Sequence, residues 1–266
     1  MKPSASAQGR AVEMAIVATV LLVFAAVARS SQAGANGIHV AFSARKSQFM
    51  LGEPIIIDCQ ITNSSQTVFE FMVFDAPMVT SGAFSFEAVP GKGTFRTPNT
   101  EIHDFDERYP DSIVVYRAPR LLSGDPLTEA ILLNWWLTPE ELGHHEVQCS
   151  LKSVAGTFTQ IVSFESVPTD PAKLCAWVRA AVSSVQDKPE SVLKGDVLDQ
   201  AIGFVGSPAA IPELRRAAEQ GIYTAVEALK RIGGDEATKT LVELSKNADT
   251  NLAARALWFL GKGGGW

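Results

Sequence analysis

The sequence predicts a multidomain protein that is all-β in its first half and all-α in its second, an antiparallel β-sandwich followed by a short α-solenoid of helix pairs. Three observations predict it. From about Ile38 to Val167, short runs rich in Val, Ile, Phe and Thr alternate with clusters of Gly, Pro, Asn and Ser. After Pro168-Thr-Asp-Pro171 the apolar spacing lengthens from 2 to about 3.6, and Ala, Leu, Glu, Lys and Arg take over. Within that second half one short pattern recurs in three places.

The chain of 266 residues is 46% apolar, 20% charged and 8% aromatic, a composition that excludes wholesale disorder and disulfide-dense miniproteins. A formal charge of -6 gives no footprint for nucleic acid or an anionic membrane, so no nucleic-acid partner is expected. Residues 1–33 read as a removable signal peptide. Lys2 and Arg10 supply the basic start, an apolar stretch follows from about Met14, and small residues close it at Ala26-Val27-Ala28 or Ser31-Gln32-Ala33. The uninterrupted apolar run is shorter than the roughly 18 residues a spanning helix needs, so retention as a membrane anchor is the alternative. This predicts an extracytoplasmic protein, touching a membrane only if that segment stays.

Residues 34–167 form the predicted sandwich. Strands are expected at Ile38–Ala44, Pro54–Thr62, Thr67–Phe74, Ala83–Val89, Ser112–Arg117, Thr128–Leu137, His145–Lys152 and Thr157–Glu165. Strand alternation turns Ile55, Ile57, Cys59 and Ile61 inward and Asp58 and Gln60 outward; likewise Val147, Cys149 and Leu151 face in while Glu146, Gln148 and Ser150 face out. Trp135 and Trp136 are adjacent on a strand, so one should enter the core and the other become a partner-contact residue.

Residues 168–262 form the predicted helical domain, and 263–266 a flexible tail. Ala201-Ile-Gly-Phe-Val-Gly206, Ala228-Leu-Lys-Arg-Ile-Gly233 and Ala256-Leu-Trp-Phe-Leu-Gly261 share Ala, aliphatic, two residues, aliphatic, Gly. Ala permits close helix approach, the aliphatics face a neighbouring helix, and Gly ends the helix in a left-handed cap. Helices are expected at Ala172–Gln186, Val192–Val205, Ala209–Gln220, Ile222–Ile232, Asp235–Asn247 and Asn251–Gly261, with Ser207 or Pro208 and Asp235 at helix starts. Trp258 and Phe259 on the last helix are further candidate partner contacts.

The stretch Leu51-Gly-Glu-Pro-Ile-Ile-Ile-Asp-Cys-Gln-Ile-Thr-Asn63 resembles the opening strands of bacterial immunoglobulin-like domains, and Leu142-Gly143 into Val147 and Cys149 is similar to their late strand, with His144-His145 where those domains usually place a Tyr. The resemblance implies an immunoglobulin-like sandwich with Cys59 and Cys149 joined in an inter-sheet disulfide. The helical half resembles short bacterial HEAT-type repeats, including those of phycobilisome lyases, which implies a curved array with a protein-binding face.

No catalytic pattern emerges, and neither G-x-S-x-G, a P-loop, H-E-x-x-H nor C-x-x-C occurs. His103, Asp104, Asp106, Glu107 and Asp111 crowd one segment that lacks the fixed Gly and Glu of a calcium loop, and adjacent His144 and His145 should face opposite ways. No metal, cofactor or catalytic residue is therefore assigned. Cys175 is expected on an apolar helix face, and Asn63-Ser64-Ser65 fits the glycosylation pattern. The expected function is that of an exported, non-catalytic protein-interaction module; the alternative, from the resemblances, is a proteinase inhibitor or a lyase-like accessory protein.

Overall fold

The structure is a computed structural model describing residues 32–33, 37–70, 73–74, 83–97, 116–117, 120–153, 155–187 and 197–261. The first half consists of strands β1 (Gln32–Ala33), β2 (Ile38–Ala44), β3 (Gln48–Met50), β4 (Ile56–Asn63), β5 (Phe69–Glu70), β6 (Val73–Phe74), β7 (Phe84–Ala88), β8 (Phe95–Arg96), β9 (Tyr116–Arg117), β10 (Arg120–Leu121), β11 (Pro126–Leu132), β12 (Thr138–Pro139), β13 (Gly143–Ser153) and β14 (Gly156–Val167). Two four-stranded sheets run in the orders β1-β2-β4-β11 and β3-β14-β13-β7. All their pairings are antiparallel except β3 beside β14.

The alternation seen in the sequence places the core. Ile57, Cys59 and Ile61 of β4 and Val147, Cys149 and Leu151 of β13 are fully buried in one apolar cluster with Phe42, Phe84, Phe86 and Phe164. Phe42 meets Phe84 and Phe86 edge-on, each at 6.4 Å, a geometry the ring quadrupoles favour. Gln160 of β14 also links the sheets: its amide accepts from Phe42 N at 2.9 Å and donates to Phe42 O at 3.0 Å.

Cys59 and Cys149 are inward-facing, as the alternation requires, but they are free thiols rather than the expected disulfide. Their burial among apolar side chains pushes both thiols well above the ordinary range, because the thiolate would lose its hydration there. Asn63 also departs from expectation. Its side chain is fully buried and donates to Thr67 O at 2.7 Å and Leu121 O at 2.8 Å while accepting from Ser65 N at 2.9 Å. The glycosylation pattern is thus a structural clasp whose amide is already used.

The second half contains α1 (Pro171–Gln186), α2 (Val197–Gly203), α3 (Ile211–Glu219), α4 (Thr224–Ile232), α5 (Gly234–Leu244) and α6 (Thr250–Phe259). Asp170 caps α1 by accepting from Ala172 N and Lys173 N, with Pro171 at the first turn; Asp249 caps α6 through Asn251 N and Leu252 N. Ser207 makes no side-chain cap, and a short 3-10 turn over Pro208–Ala210 leads into α3 instead. Gly233 and Gly261 have positive φ, but at φ 65 and ψ -163 Gly233 is extended rather than in the left-handed cap expected, and Gly206 has no positive φ. A third apolar cluster of Ile56, Leu132, Trp135, Ala201 and Phe204 joins sheet to helix. Among the described residues no helix is long and apolar enough to cross a membrane.

Candidate functional site

The helices lie in two rows. α1, α3 and α5 contact one another in sequence, as do α2, α4 and α6, and α2 also packs on β11. Polar ties run along the second row: Thr224 Oγ1 donates to Asp199 Oδ1 at 3.1 Å, Tyr223 OH to Asp249 Oδ2 at 2.8 Å, and Arg255 Nη1 to Glu227 Oε1 at 3.3 Å. Each tie joins neighbouring helices of the row, so it fixes their spacing as well as satisfying charge.

Between α1 and α3 lies a groove of about 250 Å³ with Val178, Val182 and Ala217 along it and Arg179, Glu213 and Arg216 around it. Glu213 is held by two cations, Arg216 Nη1 at 2.7 Å and Arg179 Nε at 3.4 Å. One carboxylate between two guanidinium groups leaves the groove with an excess positive charge. Both arginines are more than half exposed, so their attraction for an acidic segment is solvent-screened and acts mainly on encounter and orientation.

At the joint with the sheets, Trp135 meets Phe204 edge-on at 4.7 Å and its indole Nε1 donates to Gln200 Oε1 at 3.1 Å. Arg231 of α4 lies over the Phe204 ring with its guanidinium carbon 3.7 Å from the ring centroid. Burial, partly offset by the Glu227 charge, lowers the Arg231 pKa to about 10, and the Arg96 charge adds to the fall. It remains a cation at neutral pH.

The expected contact residues are mostly committed elsewhere. Trp135 is not an exposed strand residue but part of a 3-10 turn, Leu133–Trp135, buried against the helices. Trp136 is half-buried and packs on Phe86 at 4.7 Å, so neither indole is the outward contact expected of a strand pair. Phe259 is buried in the helical core, and half-buried Trp258 packs against that core. Cys175 is half-buried and its thiol donates to Ala209 O at 3.4 Å. The segment with His103, Asp104, Asp106, Glu107 and Asp111, the leader before Gln32 and the tail 263–266 lie outside the described residues. Among the described residues no cluster of three or more His, Cys, Asp or Glu could hold a metal ion.

His144 and His145 do face opposite ways. His144 is exposed between Glu165 and Glu146, at 3.1 and 3.2 Å, and those hydrogen bonds raise its pKa. His145 is fully buried, stacked on Phe164 at 5.5 Å, with Nε2 donating to Glu141 O at 3.1 Å. Sequence reasoning missed Arg231 and the α1–α3 groove. For Arg231 a signal was available, because it occupies the repeat position held by Phe204 and Phe259 in the flanking copies.

No family model and no curated protein matches the chain. Among solved structures it is similar to a FixG-related protein from Vibrio parahaemolyticus, 10% identical, covering 51% of this chain and 99% of that one with a TM-score of 0.27. It is also similar to a β-glucosidase from Listeria innocua in complex with isofagomine, 13% identical, covering 53% of this chain and 17% of that one with a TM-score of 0.27.

Proposed function

We propose that the protein is an exported, non-catalytic interaction module, an immunoglobulin-like sandwich carrying a HEAT-like helix array, and that the array binds an acidic protein segment. The sandwich reading is supported by β4 and β13 lying inside separate sheets with their Cys residues inward. The array reading is supported by the two rows of helices, each touching its next neighbour.

The observation that carries the binding role is the α1–α3 groove, whose floor is closed by buried Val178, Val182 and Ala217 and whose rim carries the exposed cations Arg179 and Arg216. Carboxylates of the bound segment would pair with Arg179 and Arg216 and set its register. The test is capture from an extracytoplasmic extract with the full chain as bait, beside an Arg179→Glu/Arg216→Glu variant and an Ile161→Asp variant on the sheet half. Loss of the captured protein with the arginine variant alone supports the reading. Capture that survives it, capture lost only with Ile161→Asp, or no captured protein at all overturns it.

A further inference from the structure

Arg231 stands where the flanking repeats place Phe204 and Phe259, in a helix whose other inward residues Ala225, Val226, Ala228 and Leu229 are apolar and fully buried. A cation at such a position needs acceptors, because unpaired buried donors lose their water bonds without replacement. Yet Nε and Nη2 of Arg231 are buried and have no hydrogen-bond partner among the described residues. These are not two arbitrary donors. In a guanidinium, Nε–H and one Nη2–H point in parallel along the same edge, the fork that receives the two oxygens of one carboxylate.

The surroundings suit an anion. The guanidinium face is taken up by Phe204 at 3.7 Å, which fixes its plane and leaves the edge as the place for a ligand. The Arg96 charge from β8 adds to the local positive field. The nearby carboxylate, Glu227, is engaged by Arg255 Nη1 at 3.3 Å and leaves the fork empty. We propose that the Nε/Nη2 edge of Arg231, at the joint of the sheets and the second helix row, is a binding site for a single carboxylate. The fork is sealed from solvent, so the ligand enters by a side-chain movement at the joint. This site is separate from the α1–α3 groove and does not depend on it.

The test uses the full chain, ¹⁵N-labelled, with the Arg231 Nε–Hε resonance identified by its contacts to the Phe204 ring. Titration with sodium acetate and succinate, a free-acid arm, runs beside the peptide acetyl-Gly-Glu-Gly-amide, beside inorganic phosphate and beside sodium chloride at matched ionic strength. A saturating shift with a carboxylate and none with chloride supports the site. Response to the free acids alone identifies a small-molecule ligand; response to the peptide alone identifies a protein segment. In parallel, succinate should raise the thermal midpoint of the unaltered protein and not that of Arg231→Lys, which keeps the charge but lacks the fork. The proposal is overturned by no carboxylate-specific shift, by a shift with inorganic phosphate only, or by a response that persists in Arg231→Lys. The resonance titration needs no variant, so it decides the matter even if Arg231→Lys does not fold.

Discussion

Replacing Gly93 by Ala should be among the most damaging single-atom-group changes in the sheet half. Gly93 has φ +96, and a Cβ built there would lie 2.1 Å from His145 Nδ1, far inside van der Waals contact. His145 cannot retreat, since it is fully buried, stacked on Phe164, edge-on to Phe95, and hydrogen-bonded to Glu141 O. A positive φ costs an alanine about 1–2 kcal/mol, and overfilling a closed core adds about 1–3 kcal/mol, for an expected loss of about 2–5 kcal/mol. Gly91 supplies the control, because its φ of +74 carries the same backbone penalty with nothing within 4 Å. Urea unfolding of the two variants therefore separates conformation from contact. In a His145→Ala background the surplus at Gly93 should vanish. The reasoning is refuted if Gly93→Ala and Gly91→Ala differ by less than about 0.5 kcal/mol, the usual margin for independent sites.

Other outcomes follow from the same contacts. Cys59 and Cys149 should resist alkylation in the native protein and react only on unfolding, with Cys175 modified first; mass spectrometry of partly labelled protein would show the order, and early labelling at Cys59 or Cys149 would contradict the burial. His144, hydrogen-bonded to Glu146 and Glu165, should titrate above the ordinary imidazole value by NMR and fall toward it in Glu146→Gln. A raised folded pKa means that its stabilisation is present below the unfolded value and fades as pH rises through the folded one, while the lowered pKa of Glu146 makes its share fade as pH falls. Trp135→Ala or Phe204→Ala should cost about 3–5 kcal/mol by emptying the sheet–helix joint, read from the urea midpoint. In a host that glycosylates, peptide mapping should find Asn63 unmodified, since its amide is buried and bonded.

What could be read in advance depended on how local the cause was. Strand alternation located the buried faces of β4 and β13, because a period of two leaves no freedom once one residue is inward. It would have sent His145 inward as well, having the parity of Val147, and Gly93 is the distant residue that makes room for it. Trp135 and Trp136 were misread because alternation applies only inside a strand. Here β11 ends at Leu132 and the chain curls into a 3-10 turn clasped by Ile55 N to Asn134 Oδ1 at 2.6 Å and Leu133 N to Ile55 O at 2.8 Å. Of the helix starts named from the sequence, Asp235 lies in the first turn of α5 while Ser207 makes no cap; the caps that do form, Asp170 and Asp249, were not singled out, and the role of Gly206 came from a partner far away in sequence. The α1–α3 groove is likewise a product of packing between helices, with no short pattern to announce it.

Gly206 N donates to Gly52 O at 2.8 Å, and a Cβ on Gly52 would sit 3.1 Å from the Gly206 backbone. Nearby, Thr169 Oγ1 donates to Leu51 O at 2.6 Å. The turn that launches β4 is therefore also a socket for the chain leaving α2. Anyone grafting the helices onto another scaffold would have to carry residues 51–54 with them, and a library that randomises that turn for the sake of the sheet would be selecting, unawares, on the seating of the helices.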